Sequence, residues 1–150
     1  MAQTFTPATP DFAAIVHRGF ARQSLMTLYG ARLMEVSPGR VVIELAPNAQ
    51  LLQQAGSVHG GVIGALADSA GGFAALTLAP AGSDVVTIEY KINFLRAATG
   101  TVRATGEVIR PGKTITVARI VCEAGAVGAV DTCAVVQATF MRVAERPITS

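Results

Sequence analysis

The stretch HGGVIGALADSAGGFAALTL, running from His59 to Leu78, decides the fold. It is a run of small and apolar residues without proline, opened by two glycines, and it predicts a helix from His59-Gly60-Gly61 to about Leu78. The interior of that helix is unusual. Residues three or four apart share a helical face, and around Asp68 that face holds Gly61, Gly64, Ala65, Gly71, Gly72 and Ala75. An interior glycine weakens a helix by about 1 kcal/mol relative to alanine, so Gly64, Gly71 and Gly72 together cost roughly 3 kcal/mol. That is a large share of a net stability of about 5–15 kcal/mol. The glycines must therefore admit another backbone or leave room for a ligand beside Asp68. Val62, Ile63, Leu66, Phe73 and Leu76 occupy the other face, which can pack onto a sheet.

Upstream, Asp11 to Tyr29 carries Phe12, Ile15, Val16, Phe20, Leu25 and Leu28 on roughly one helical face. Pro10 suits a first-turn position and Gly30 a C′ stop, so one N-terminal helix is expected. Ala31–Val36 and Arg40–Ala46 read as strands joined by Ser37-Pro38-Gly39, where proline then glycine at the turn centres is type II chemistry. Pro47 to Val58 reads as an irregular loop leading into the long helix.

Downstream, Asp84–Arg96, Gly100–Arg110, Lys113–Glu123 and Ala129–Val143 are rich in Val, Ile and Thr. They are separated by Ala97 to Gly100, by Pro111-Gly112 and by a Gly125 to Gly128 turn. Helix, two strands, long helix, four strands: helix–strand alternation is absent, which argues against a parallel doubly wound sheet. The expected class is α+β, an antiparallel sheet of about six strands wrapped on one long central helix. No linker or internal repeat interrupts the chain. It reads as a single domain over 1–150, with residues 1–9 a loosely held lead-in.

Composition narrows the function. Half the residues are apolar and only 15% are charged, which suits a packed core and hints that another subunit covers part of the surface. A net charge of +2 with basic residues scattered singly from Arg18 to Arg146 argues against nucleic acid. The longest uncharged stretch, Leu45 to Ala67, contains Pro47, Asn48, three glutamines and several glycines, so no membrane span is expected. Met1 to Pro10 has neither a basic start nor an apolar run, and Cys122 and Cys133 are too few for a disulfide framework. A reduced cytoplasmic protein is the simplest expectation. His17 and His59 lie far apart in sequence with no Cys/His cluster, so no metal is expected.

The chemistry concentrates at the start of the long helix. Two glycines there bring free backbone N–H groups and the positive end of the helix dipole to one spot, where a carbonyl oxygen gaining negative charge would be stabilised. Gln53 and Gly56 lie six and three residues before His59, and Asp68 nine after it.

This pattern resembles the phenylacetate-degradation-type (PaaI-like) acyl-CoA thioesterases of the hotdog superfamily. The likeness spans nearly the whole chain. It includes Ser37-Pro38-Gly39-Arg40, the run from His59-Gly60-Gly61-Val62 to Leu66-Ala67-Asp68, and the Val86 to Arg96 strand ending Asn93-Phe94-Leu95-Arg96.

The resemblance implies that Asp68 activates water or attacks the thioester carbon while the Gly61 amide binds the thioester oxygen, the two coming from opposite subunits of a dimer. Helix geometry agrees. Seven residues separate Gly61 from Asp68, about 10 Å at roughly 1.5 Å per residue, so one carbonyl cannot easily touch both on a single helix. Family members carry asparagine at the position of Gln53, and the longer amide here would have a different geometry. His59 would position the loop and Thr87 would hold water. Thr87 is read onto the polar side of its strand with Glu89, Lys91 and Asn93.

Gly60, Arg96 and the Arg110-Pro111-Gly112-Lys113 turn are the candidates for the CoA portion of the substrate. CoA is part of the substrate and no separate cofactor is implied. A homodimer or homotetramer is expected. Rival readings are a hotdog hydratase or dehydratase, and a non-catalytic acyl-CoA-binding protein.

Overall fold

The computed structural model describes residues 3–147. An N-terminal helical segment leads into a β-hairpin, then one long helix, then four long strands. The strands β1 (Arg32–Ser37), β2 (Arg40–Leu45), β3 (Ser83–Phe94), β4 (Thr101–Arg110), β5 (Ile115–Ala126) and β6 (Ala129–Ala144) form one antiparallel sheet. Their order is β1-β2-β4-β5-β6-β3. The α+β class and six strands agree with the sequence pattern. β5 starts at Ile115 rather than Lys113, and its turn into β6 tightens to Val127-Gly128 because pairing continues to Ala126–Ala129.

The expected single N-terminal helix is two. α1 (Phe12–Arg22) and α2 (Ser24–Tyr29) are separated at Gln23, which is extended at φ −78°, ψ 94°. No proline or glycine marks the break. A tertiary contact accompanies it: the Ser69 hydroxyl of the long helix donates to Gln23 Oε1 at 3.0 Å. Gly30 ends α2 in the left-handed region, as its position suggested.

The long helix α3 (Gly60–Leu76) packs across the sheet, with Leu66, Ala67, Ala70 and Ala74 fully buried. Gly106 of β4 makes this approach possible. A Cβ there would stand 2.5 Å from the Ala70 carbonyl oxygen, so only glycine lets the helix backbone lie on that strand. The far end of α3 is tied to the first hairpin. Gly39, with φ +76° at the second turn centre, donates its N–H to buried Thr77 Oγ1 at 2.7 Å, and its carbonyl accepts from Val108 N–H at 2.8 Å. Residues 3–9 carry no helix or strand, yet Phe5 of the lead-in packs on Gly39 and the core.

Candidate active site

Four N–H groups at a helix start lack intrahelical partners. In α3 three of them are taken. Gly61 N–H donates to His59 Nδ1 at 2.8 Å, Val62 N–H to the His59 carbonyl at 2.9 Å and His59 N–H to the Leu51 carbonyl at 2.9 Å, while Ile63 N–H makes the first regular helical bond, to the His59 carbonyl at 3.2 Å. His59 is thus the N-cap, its ring accepting at Nδ1 and carrying its proton on Nε2. The amide expected to receive a substrate oxygen, that of Gly61, is spent on this cap. Gly60 N–H has no acceptor among the described residues, and Gly60 lines a pocket with Gln53, Phe94 and Arg96. The free donor sits one residue earlier than the sequence suggested.

The preceding loop is held at both ends. His59 N–H bonds the Leu51 carbonyl and Val58 N–H bonds the Ala98 carbonyl, each at 2.9 Å. Between them Gln53 closes a turn of its own. Its Nε2 donates to Ser57 Oγ at 2.6 Å and its Oε1 accepts from Ala55 N–H at 2.5 Å. Gln53 lines the Gly60 pocket, but its side chain is engaged within the loop. Only its second Nε2 hydrogen is free to donate outward. Ser57, 8% exposed, was not singled out from sequence; a serine between glycine and valine carries no signal of its own.

The glycines of α3 divide differently from the sequence expectation. Gly64 faces the Tyr90 hydroxyl, and Gly71 faces Ile120 and Phe140, so both are buried against the sheet. The strip left partly or fully open is Gly61, Ala65, Asp68, Ser69 and Gly72, spaced at helical intervals with one carboxylate in its middle. Small residues leave this strip accessible to a ligand or a second molecule.

Thr87 reaches Asp68, though not by the alternation expected of it. β3 pairs with β6 through Thr87–Phe140 and then Glu89–Thr139, leaving Ile88 as a bulge. A bulge reverses which face later residues occupy. Val85 and Thr87 therefore face α3 before it, and Tyr90, Ile92 and Phe94 after it. Thr87 is not on the side of Glu89, where Thr139 donates to the Glu89 carboxylate. Thr87 Oγ1 donates to Asp68 Oδ1 at 2.7 Å. This turns one carboxylate oxygen toward the strand and leaves Oδ2 for another partner.

The remaining candidates are dispersed. Arg96 lines the Gly60 pocket but binds Asp131 at 2.6 Å. Arg110 and Lys113 flank the β4–β5 turn. There the neighbouring Val108 is bonded to Gly39, which is in turn held by Thr77 just past the C-terminal end of α3. The 17 residues of α3, about 25 Å at 1.5 Å per residue, therefore separate this turn from Gly60. Within one chain they serve opposite ends of the helix.

Comparison with known proteins identifies the family. The Thioesterase superfamily profile matches residues 55–129, half of the chain, taking in the helix start, Asp68 and Thr87. The chain belongs to the thioesterase superfamily. A Halobacterium salinarum protein bearing the name "Putative esterase" is 30% identical over 115 residues, covering 73% of this chain and 76% of its own. Among solved structures, a thioesterase family protein from Silicibacter pomeroyi superposes with a TM-score of 0.87 at 36% identity, covering 89% of this chain and 99% of that one. The PaaI protein of Escherichia coli, at 23% identity, shares the fold with a TM-score of 0.79 over 91% of this chain and 96% of its own. The hotdog architecture and hydrolase class expected from the sequence agree with these relatives. No helix among the described residues is long and apolar enough to cross a membrane.

Proposed function

We propose that this thioesterase-superfamily protein hydrolyses acyl-CoA thioesters, R-CO-S-CoA plus water giving a carboxylic acid and free CoA, at a site shared between two copies of the chain. The observation that carries the reading is the Thr87-oriented carboxylate of Asp68 on the open strip of α3, with a free Gly60 N–H at the start of the same helix.

Asp68 Oδ2 takes a proton from water as the water oxygen attacks the thioester carbon. The carbonyl oxygen gains charge and is held by Gly60 N–H and the positive helix end. When the tetrahedral species collapses, the C–S bond breaks and the proton held by Asp68 passes to the departing thiolate. Thr87 holds the carboxylate in register, and its oxygen can still accept from the attacking water. His59 supports the donor indirectly by capping Gly61.

Two copies are needed for a geometric reason. Eight residues part Gly60 from Asp68, about 12 Å along one helix, too far for one carbonyl to touch both. β3 is an edge strand, and its neighbourhood exposes Val86, Ile88, Tyr90, Phe94 and Leu95. A long apolar edge of this kind pairs with another strand. Antiparallel pairing of two β3 strands would set the two α3 helices in opposite directions. It would also carry the partner's Arg110–Lys113 turn to the Gly60 end, where two cations suit CoA phosphates.

The test is a hydrolysis screen over phenylacetyl-, benzoyl- and short- to long-chain acyl-CoAs, with crotonyl-CoA hydration assayed alongside. Asp68→Asn is expected to fold and lose hydrolysis by a factor of about a hundred or more. A folded Asp68→Asn protein that keeps most of its activity overturns the assignment.

A further inference from the structure

Beyond Asp68 the site does not end. A pocket of about 170 Å³ lined by Asp68, Thr87, Phe73 and Gln23 shares Gln23, Phe73, Leu76 and Asp84 with a second pocket of about 210 Å³. The two pockets are neighbours that meet at these four residues, and we treat them as one groove running from the Asp68 carboxylate toward α1. Asp68 to Leu76 is eight residues, about 12 Å of groove along the helix. A straight chain of roughly nine carbons covers that length, since C–C bonds of about 1.5 Å advance about 1.3 Å each when extended.

The far pocket is lined by three guanidinium groups, Arg18, Arg22 and Arg146, against two carboxylates, Asp84 and Glu145. The balance there is +1, set against +2 for all 150 residues. Arg18 and Arg22 stand one turn apart on α1, a like-charge spacing that disfavours the helix. Their counter-charges are weak. Arg22 meets Glu145 only at 3.9 Å, Arg18 has no ion pair among the described residues, and Asp84 Oδ1 is engaged by Val85 N–H at 2.8 Å. Between Asp68 and these cations the groove wall carries Phe73, Leu76, Val85 and Phe140 together with Gln23, Ser69, Gly72 and Asp84.

From this sequence of a carboxylate, a wall bearing four apolar side chains and an end where arginines outnumber carboxylates, we infer that the groove binds an acyl chain of medium length carrying an anionic terminus, an ω-carboxyacyl thioester, whose carboxylate is held by Arg18 and Arg22. The inference rests on the thioesterase reading of Asp68. It adds the acyl class that site selects.

An anion at these arginines could come from the acyl terminus or from the CoA phosphates, and the carrier separates the two. Octanoyl and 7-carboxyheptanoyl thioesters, each made on CoA and on N-acetylcysteamine, which bears no phosphate, are compared by kcat/KM for the wild type and Arg18→Gln. The carboxylated chain is expected to be preferred over octanoyl on both carriers, and Arg18→Gln is expected to cut that preference about tenfold on both. Arg18→Glu should reverse it.

A loss in Arg18→Gln on the CoA esters alone, whatever the acyl chain, would assign the cluster to phosphate and overturn the inference. Equal rates for the two chains with efficient hydrolysis would remove the carboxylate subsite and leave the thioesterase reading standing. No hydrolysis of any ester on either carrier would remove the reading, and the subsite with it.

Discussion

In the proposed mechanism Gly60 takes the oxygen-binding role that the resemblance implied for Gly61, and His59 caps Gly61. The ring of His59 absorbs the second amide of α3, and the first amide stays free because nothing in the loop turns back to meet it. Gly60 is the first helical residue, the one position where proline is favoured, and His59 before it is already extended. Gly60→Pro therefore removes the free N–H with the helix intact, the Phe94 ring moving aside. We expect kcat to fall about a hundredfold, as for loss of one oxyanion donor, with an unchanged circular dichroism spectrum. His59→Ala should lower stability by about 1 kcal/mol in urea titration, and His59→Asn should recover most of it. The two cysteines are structural at this scale. Burial and the neighbouring thiol push Cys122 up to about 12, and burial raises Cys133. Neither should react with iodoacetamide in the folded protein at neutral pH.

Among the elements, α3 and β4 are locked by Gly106. Gly106→Ala places a methyl against the Ala70 carbonyl, and we expect about 3 kcal/mol of destabilisation in chemical denaturation. On the outer face of the sheet, Glu44 of β2 is only 12% exposed and joins Arg103 at 2.8 Å and Arg32 at 3.0 Å. The Arg103 hydrogen bond, partly opposed by burial and aided by Arg32, holds the Glu44 carboxyl below its ordinary range. A lowered value means the folded state favours the carboxylate. Its stabilisation is complete above the ordinary glutamate range and is lost as pH falls through the depressed folded value. Glu44→Gln should remove that part of the acid sensitivity, seen as a flatter dependence of melting temperature on pH below about 5.

For the molecule as a whole, the unpaired β3 edge is the main statement. Ile88, 52% exposed in the bulge, can be replaced by lysine without disturbing the core. If two chains pair along β3, Ile88→Lys should shift sedimentation toward monomer, and hydrolysis should fall in proportion because Asp68 loses its partner's Gly60. A monomeric variant with full activity would confine the site to one chain.

The sequence by itself determined the features that local physics controls. The small apolar run from His59 to about Leu78 set α3, found at Gly60–Leu76, Pro38-Gly39 set the first turn, β-branched runs set four strands after the helix, and the His59–Asp68 interval pointed to the candidate site. Those signals lie within a few residues of what they specify. Tertiary structure alone decided the break at Gln23, the bulge at Ile88 that turns Thr87 onto Asp68, the strand order that leaves β3 at the edge, and the groove ending at Arg18 and Arg22. Each depends on groups far apart in the chain: Gln23 meets Ser69 across 46 residues, and Thr87 meets Asp68 across 19. Pairing energies between distant segments override local preference there, and local sequence does not record them.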